Sequence, residues 1–209
     1  MPSFSDCHGC SLCLLPCPMW RQHRDVAFSP QGFAKAMQAG ATALDLREYL
    51  SSCIMCGACD VMCPENIDLS GMVAKAWQQA ELPSLQQQLE SDAFNLSCNP
   101  AVQAQISQDD FYIIDAAPFH AHHAERVRHY DQLRQTTGCS INLDLNRMAI
   151  PTGADSVSAQ MGKFDVEAQI NWLVQGRKFQ RVIVESEADQ TTLAEIIDKP
   201  VIHVSQLLE

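Results

Sequence analysis

Apolar residues recur at helical spacing through the first 82 residues and in short strand-like runs after residue 110. Ser29-Pro30 reads as an N-cap followed by proline at the first helical position, and Gly40 marks the end of that helix. Leu44, Leu46 and Leu50 form an apolar stripe ahead of Cys53. Asp68 or Ser70 caps a further helix through Val73, Trp77 and Leu82. Residues 83–108 hold Pro83, three glutamines (Gln86, Gln87, Gln88) and Asn99-Pro100, and read as a connecting segment with room for one helix. The pattern then changes. Strands are expected at Phe111–Asp115, Ile141–Leu145, Arg181–Glu185 and Val201–Val204. Helices are expected at His120–Thr136, closed by Gly138, at Asp165–Gln175 and at Thr191–Ile197. The 120–136 helix carries Glu125–Arg128 and Asp131–Arg134 pairs on its polar side. Val166, Ile170 and Val174 line the 165–175 helix, with Trp172 and Leu173 broadening the face. Alternation of strand and helix predicts a mainly parallel sheet. The expected fold is an α+β two-domain chain, with a helical domain at 1–82, a linker at 83–108 and a small α/β domain at 109–209.

The 209 residues are 46% hydrophobic and 19% charged, enough to bury a core and to exclude global disorder. A formal charge of −11 repels phosphate backbones, so nucleic acid is not an expected partner. No stretch is long and apolar enough for a membrane span, and residues 1–6 lack the features of a signal peptide. A cytoplasmic location is expected. There the ten cysteines point to metal ligation rather than disulfides.

Eight of those cysteines form two copies of one pattern. Cys7, Cys10, Cys13 and Cys17 with Pro18 read C-x2-C-x2-C-x3-C-P, as do Cys53, Cys56, Cys59 and Cys63 with Pro64. This is the ligand run of bacterial cubane ferredoxins. Three cysteines spaced two residues apart curl around one cubane. The fourth is followed by a proline that opens a helix, so it points away and reaches the cluster of the other run. Two [4Fe–4S] clusters are therefore expected, one on Cys7, Cys10, Cys13 and Cys63 and the other on Cys53, Cys56, Cys59 and Cys17. Zinc sites use paired C-x2-C elements without the trailing proline and match the pattern less well. Cys98 and Cys139 lie outside both runs and read as buried free thiols.

Taken together, the chain resembles the iron–sulfur subunits related to heterodisulfide reductase. Residues 1–82 resemble the helical ferredoxin subunit of that enzyme. The second half resembles its cysteine-rich CCG domain, which forms a separate subunit there and follows the ferredoxin in fused relatives among glycerol-3-phosphate, glycolate and lactate oxidising proteins. The ligands of that domain are absent. Ala117 stands for its lone cysteine, Pro151-Thr152-Gly153 for Cys-Cys-Gly, and Ala188 and Thr191 for the final Cys-x2-Cys. The resemblance thus implies a degenerate domain without a cluster, acting as a docking surface.

Other candidate groups are weaker. His120, His122, His123 and His129 fall at or near the start of one expected helix and read as solvated residues rather than a metal site. Thr152-Gly153 is too short to define a phosphate loop. Arg21, His23 and Arg24 read either as a docking patch for an acidic donor or as a solvated face. With no nucleophile–base pair in view, the chain reads as an electron-transfer subunit of a hetero-oligomeric complex without a catalytic centre of its own. The resemblance implies two partners, a flavoprotein and a protein like the CCG-bearing subunit of heterodisulfide reductase. The alternatives are the iron–sulfur subunit of a glycolate, lactate or glycerol-3-phosphate dehydrogenase that passes electrons to quinone, and a redox-responsive interaction module.

Overall fold

The computed structural model describes residues 2–83 and 92–208, so Gln86, Gln87 and Gln88 lie outside the described residues. The chain divides into two compact units, Met1–Gln87 with Asp155–Asp165, and Gln88–Ala154 with Val166–Glu209.

The first unit is helical. Helix α1 (Pro18–His23) starts at Cys17, with Pro18 supplying a fixed φ where no amide donor is needed. Helix α2 (Pro30–Gln38) starts at Ser29, whose hydroxyl accepts from the Gly32 amide at 3.1 Å and donates to the Val26 carbonyl at 2.6 Å. Of the apolar stripe expected ahead of Cys53, only the last turn is helical, as α3 (Arg47–Leu50). Leu46 and Leu50 are buried, but Ala43 replaces Leu44 in the core and Leu44 is 64% exposed. Helix α4 (Ala58–Met62) lies within the second cysteine run, and α5 (Leu69–Gln79) follows it, capped by Asp68 at the Gly71 amide. Pro64 does not open a helix. Asn66, at φ 51°, turns the chain out of helical geometry before Asp68 restarts it. Phe33, Ala34, Leu50, Val73 and Ala76 form the core of this unit. Trp77 is equally buried, and its indole N–H donates to the Pro83 carbonyl at 2.7 Å.

The second unit opens with two short helices, α6 (Asp92–Ser97) and α7 (Pro100–Gln103), where one was expected. Asn99 separates them by capping Pro100 onward. Strand β1 (Asp110–Ile113) leads to α8 (Ala116–Ala121) and α9 (His123–Thr137). The single expected helix from His120 is thus two, broken at His122 where ψ reaches 33°. Gly138 closes α9 at φ 76°, and the Asp131–Arg134 pair stands at 3.7 Å. Strand β2 is only Ser140–Ile141, because the chain then folds back through a Leu143–Ala149 bridge that leaves Leu145 fully exposed. Residues 155–165, with α10 (Val157–Gln160), belong to the first unit. Helix α11 (Val166–Val174), strand β3 (Arg181–Val184), helix α12 (Glu187–Ile196) and strand β4 (Val201–His203) complete the unit. Helix α12 starts four residues earlier than expected because Ser186 caps it.

The four strands pair in parallel in the order β2-β1-β3-β4. Phe111, Ile113, Val182 and Val184 pack against Ile170 and Leu173 of α11 and Leu193 of α12. Alternate residues include Tyr112, whose ring lies 6.1 Å from Tyr130 of α9. Cover on both faces explains why these strands read as unbroken apolar runs. Trp172 is 45% exposed, so it lies off the apolar face of α11 that its spacing suggests.

At the start of β1, Arg181 donates to both carboxylate oxygens of Asp110 at 2.8 Å, and the Ser107 amide donates at 2.8 Å. Burial alone would push this carboxyl up, but the Arg181 and Ser107 hydrogen bonds outweigh it and hold it below the usual range. Asp110 therefore stabilises the fold above the unfolded carboxyl value of about 3.9, and this is lost as pH falls through the lower folded value. Asp110→Asn is expected to lower stability at neutral pH and flatten the acid limb of stability against pH. An unchanged acid limb in denaturant melts would contradict this role.

Candidate metal centre

The eight run cysteines surround two separate spaces in the first unit. One is lined by Cys7, Cys10 and Cys13 together with Cys63, the other by Cys53, Cys56 and Cys59 together with Cys17. Counted with the solvent at their mouths, these spaces measure about 400 and 380 Å³. Among the described residues, no three His, Cys, Asp or Glu side chains converge on a point that would hold one ion. Four thiols line each space, the donor set an iron–sulfur cluster takes.

Local backbone explains how each run curls. In the first, Gly9 at φ 79° and Ser11 at φ 68° turn the chain between ligands, and Leu12–Leu14 forms one tight turn. In the second, Met55 at φ 56° and Gly57 at φ 74° do the same ahead of α4. The Lys35 ammonium and the Gln38 side-chain amide fix the first loop from outside, donating to the Cys7 carbonyl at 2.5 and 3.0 Å.

Burial dominates the electrostatics of the thiols. Desolvation by burial, then Cys17 of the other space and, more weakly, Cys7 and Cys10, push the Cys13 thiol up to about 12. Desolvation likewise pushes Cys56 up to about 12 and raises Cys17, Cys53 and Cys59. Without a metal these groups stay protonated, so ligation must displace their protons. Backbone amides already aim at the sulfurs and partly oppose the desolvation. The Gln31 amide, in the first turn of α2, serves Cys13, those of Met19 and Trp20 in α1 serve Cys17, and those of Met55 and Ala58 serve Cys53 and Cys56. Amides directed at sulfur favour thiolate and metal binding.

Residues that sequence reading passed over also support the site. The Ser158 hydroxyl donates to the Cys53 carbonyl at 2.7 Å, 105 positions away in the chain. Asp60 accepts from the Ser70 amide at 2.9 Å and from the Ser70 hydroxyl at 2.5 Å. Ser158 lies outside both runs and Asp60 fills a non-ligand position of the second, so only the folded chain reveals their contacts.

The remaining candidates are accounted for by other contacts. His120 is buried and its Nε2 accepts from the Ala149 amide at 3.1 Å. His123 Nε2 lies 3.1 Å from the Arg147 carbonyl, and His129 Nε2 lies 2.9 Å from the Ser97 hydroxyl. Each of these three histidines hydrogen-bonds a different partner. Cys139 is buried as expected, whereas Cys98 is exposed beside His129. His23 stacks on Phe28 at 3.8 Å, and the Arg24 guanidinium lies over Trp20 at 5.2 Å. Ala117 lies in α8, Pro151 and Thr152 follow the β2 fold-back, and Ala188 and Thr191 lie in α12. The Thr152 hydroxyl donates to the Asp189 carboxylate, a pairing opposed to phosphate binding. Glu185, missed in the sequence, is buried with Tyr112 and Tyr130 donating to Oε1 at 2.8 and 2.5 Å, and with the Asp115 amide donating to Oε2 at 2.9 Å.

Residues 3–67 match the family model described as a 4Fe-4S dicluster domain. The chain is therefore an iron–sulfur protein, and the matched region carries an electron-transfer role. No curated protein and no solved structure matches it. The thiols and their directed amides accord with such a group.

Ser158→Ala leaves the Cys53 carbonyl without its donor. A loss of about 1–3 kcal/mol is expected in denaturation of anaerobically prepared protein. An unchanged midpoint would show that this bond contributes nothing.

Proposed function

We propose that the protein is an electron-transfer subunit that relays single electrons through two [4Fe–4S] clusters, from a flavoprotein toward a heterodisulfide-reductase-like catalytic partner or in the reverse direction. The observation that carries this reading is the exchange of fourth cysteines. Cys63 completes the ring of Cys7, Cys10 and Cys13, and Cys17 completes that of Cys53, Cys56 and Cys59. A bound cluster supplies one-electron chemistry at a potential set by charge, hydrogen bonds to sulfur and exposure. The chain's own part is to hold the thiols, direct amides at them and keep two sites within one small helical unit.

The α/β unit is read as a degenerate CCG-like domain that docks a partner. In support, its parallel sheet keeps ordered connections where the resembling domain carries its cysteines, with Ala117, Thr152 and Ala188 in their places. The Thr152 hydroxyl donates to the Asp189 carboxylate, tying the second of these connections to helix α12.

Iron and acid-labile sulfide are each expected at about eight per chain after anaerobic preparation. Cys17→Ser is expected to disturb the cluster on Cys53, Cys56 and Cys59 and to spare that on Cys7, Cys10 and Cys13. Iron near half that value in intact wild-type protein, or damage confined to the Cys7 site, would overturn the assignment.

A further inference from the structure

The two ligand runs differ in the residue after the third cysteine. Leu14 follows Cys13, whereas Asp60 follows Cys59. Leu14 is buried in the apolar core of the first unit. Asp60 is half-buried, held by the Ser70 amide and hydroxyl in the first turn of α5, and its Oδ1 lies 3.9 Å from the Cys59 sulfur. Its charge acts on three of the four thiols at that space. Desolvation dominates at Cys53, Cys56 and Cys59; the Asp60 carboxylate comes next at Cys59 and adds a smaller rise, behind Cys17, at Cys53 and Cys56. At Cys13 the charges that act are those of other cysteines.

Other charges nearby are weaker levers. Glu65 lines the first space and Lys35 reaches the Cys7 carbonyl, but both are exposed and opposite in sign. Solvent and salt screen such groups more than a half-buried carboxylate. Arg21 acts on Cys17, where it ranks behind desolvation and two backbone amides.

A fixed negative charge beside a redox centre opposes the arrival of an electron. We propose that Asp60 sets the Cys53–Cys56–Cys59–Cys17 site at a lower potential than its counterpart, so that an electron on the chain rests at the Cys7–Cys10–Cys13–Cys63 site. The inference rests on the relay reading and gives that relay a polarity. Ser70 moderates the effect, because its hydroxyl proton partly neutralises the carboxylate.

The test is a spectroscopically monitored redox titration of the full chain, prepared anaerobically at one fixed pH, with iron measured on each sample. Asp60→Asn keeps the side-chain shape and removes the charge. It should raise the lower of the two reductive steps and leave the upper in place, shifting the electron's partition by about tenfold, or about 59 mV for one electron. Ser70→Ala keeps the charge, removes the hydroxyl donor and should move the same step the opposite way. A purely structural role would move both variants in one direction. With iron near the full two-cluster value, an unmoved lower step, a shift of the upper step instead, or matching shifts in both variants would overturn the role of Asp60 alone. Iron near half that value in the wild type would overturn the relay reading and this inference together.

Discussion

The helical unit depends on one constraint: each cysteine run must deliver its last thiol to the other run's space. Cys17 and Cys63 can reach the opposite spaces only if the segment between the runs folds back on itself. Helices α2 and α5 are the means. Each starts at a well-capped residue, Ser29 or Asp68, and buries an apolar face against the other elements of the unit. Burying sulfur this way has an electrostatic cost, visible in the raised thiols of Cys13, Cys53 and Cys56. Amides at the starts of α1, α2 and α4 offset part of that cost, and a bound metal would supply the rest.

Symmetry in the ligand pattern does not extend to its surroundings. Pro18 opens α1 directly after Cys17, whereas Pro64 enters a turn and α5 begins only at Leu69. That delay gives α5 room to receive Asp60 at its first turn, where Ser70 holds it. One site thereby gains a carboxylate next to its third ligand, and the other keeps a buried leucine. Two sites built from one repeated pattern thus differ in the charge beside them, the basis of the polarity proposed for the relay.

Much of this was legible in the sequence because the chemistry is local. The spacing of eight cysteines anticipates which thiols line each space, although the proline argument holds only at Pro18, and Ser29-Pro30, Asp68 and Gly138 mark element ends through their own side-chain or backbone preferences. The strands were visible as apolar runs because both faces of the sheet are covered. What was not legible depends on distant partners. Ser158 reaches Cys53 across 105 positions, and residues 155–165 join the first unit although the sequence around them reads as α/β. Leu44 and Trp172 match a helical stripe by spacing but face outward, since turns precede α3 and Leu173 already fills the α11 face. The break at His122 had no proline or glycine to announce it.

The most direct test is where the iron lies. Anomalous diffraction at the iron edge, from crystals of anaerobically prepared protein, locates each cluster relative to the sulfurs. Crossed ligation predicts two compact iron peaks, one bounded by Cys7, Cys10, Cys13 and Cys63, the other by Cys53, Cys56, Cys59 and Cys17. Peaks each bounded by the four cysteines of a single run would contradict it.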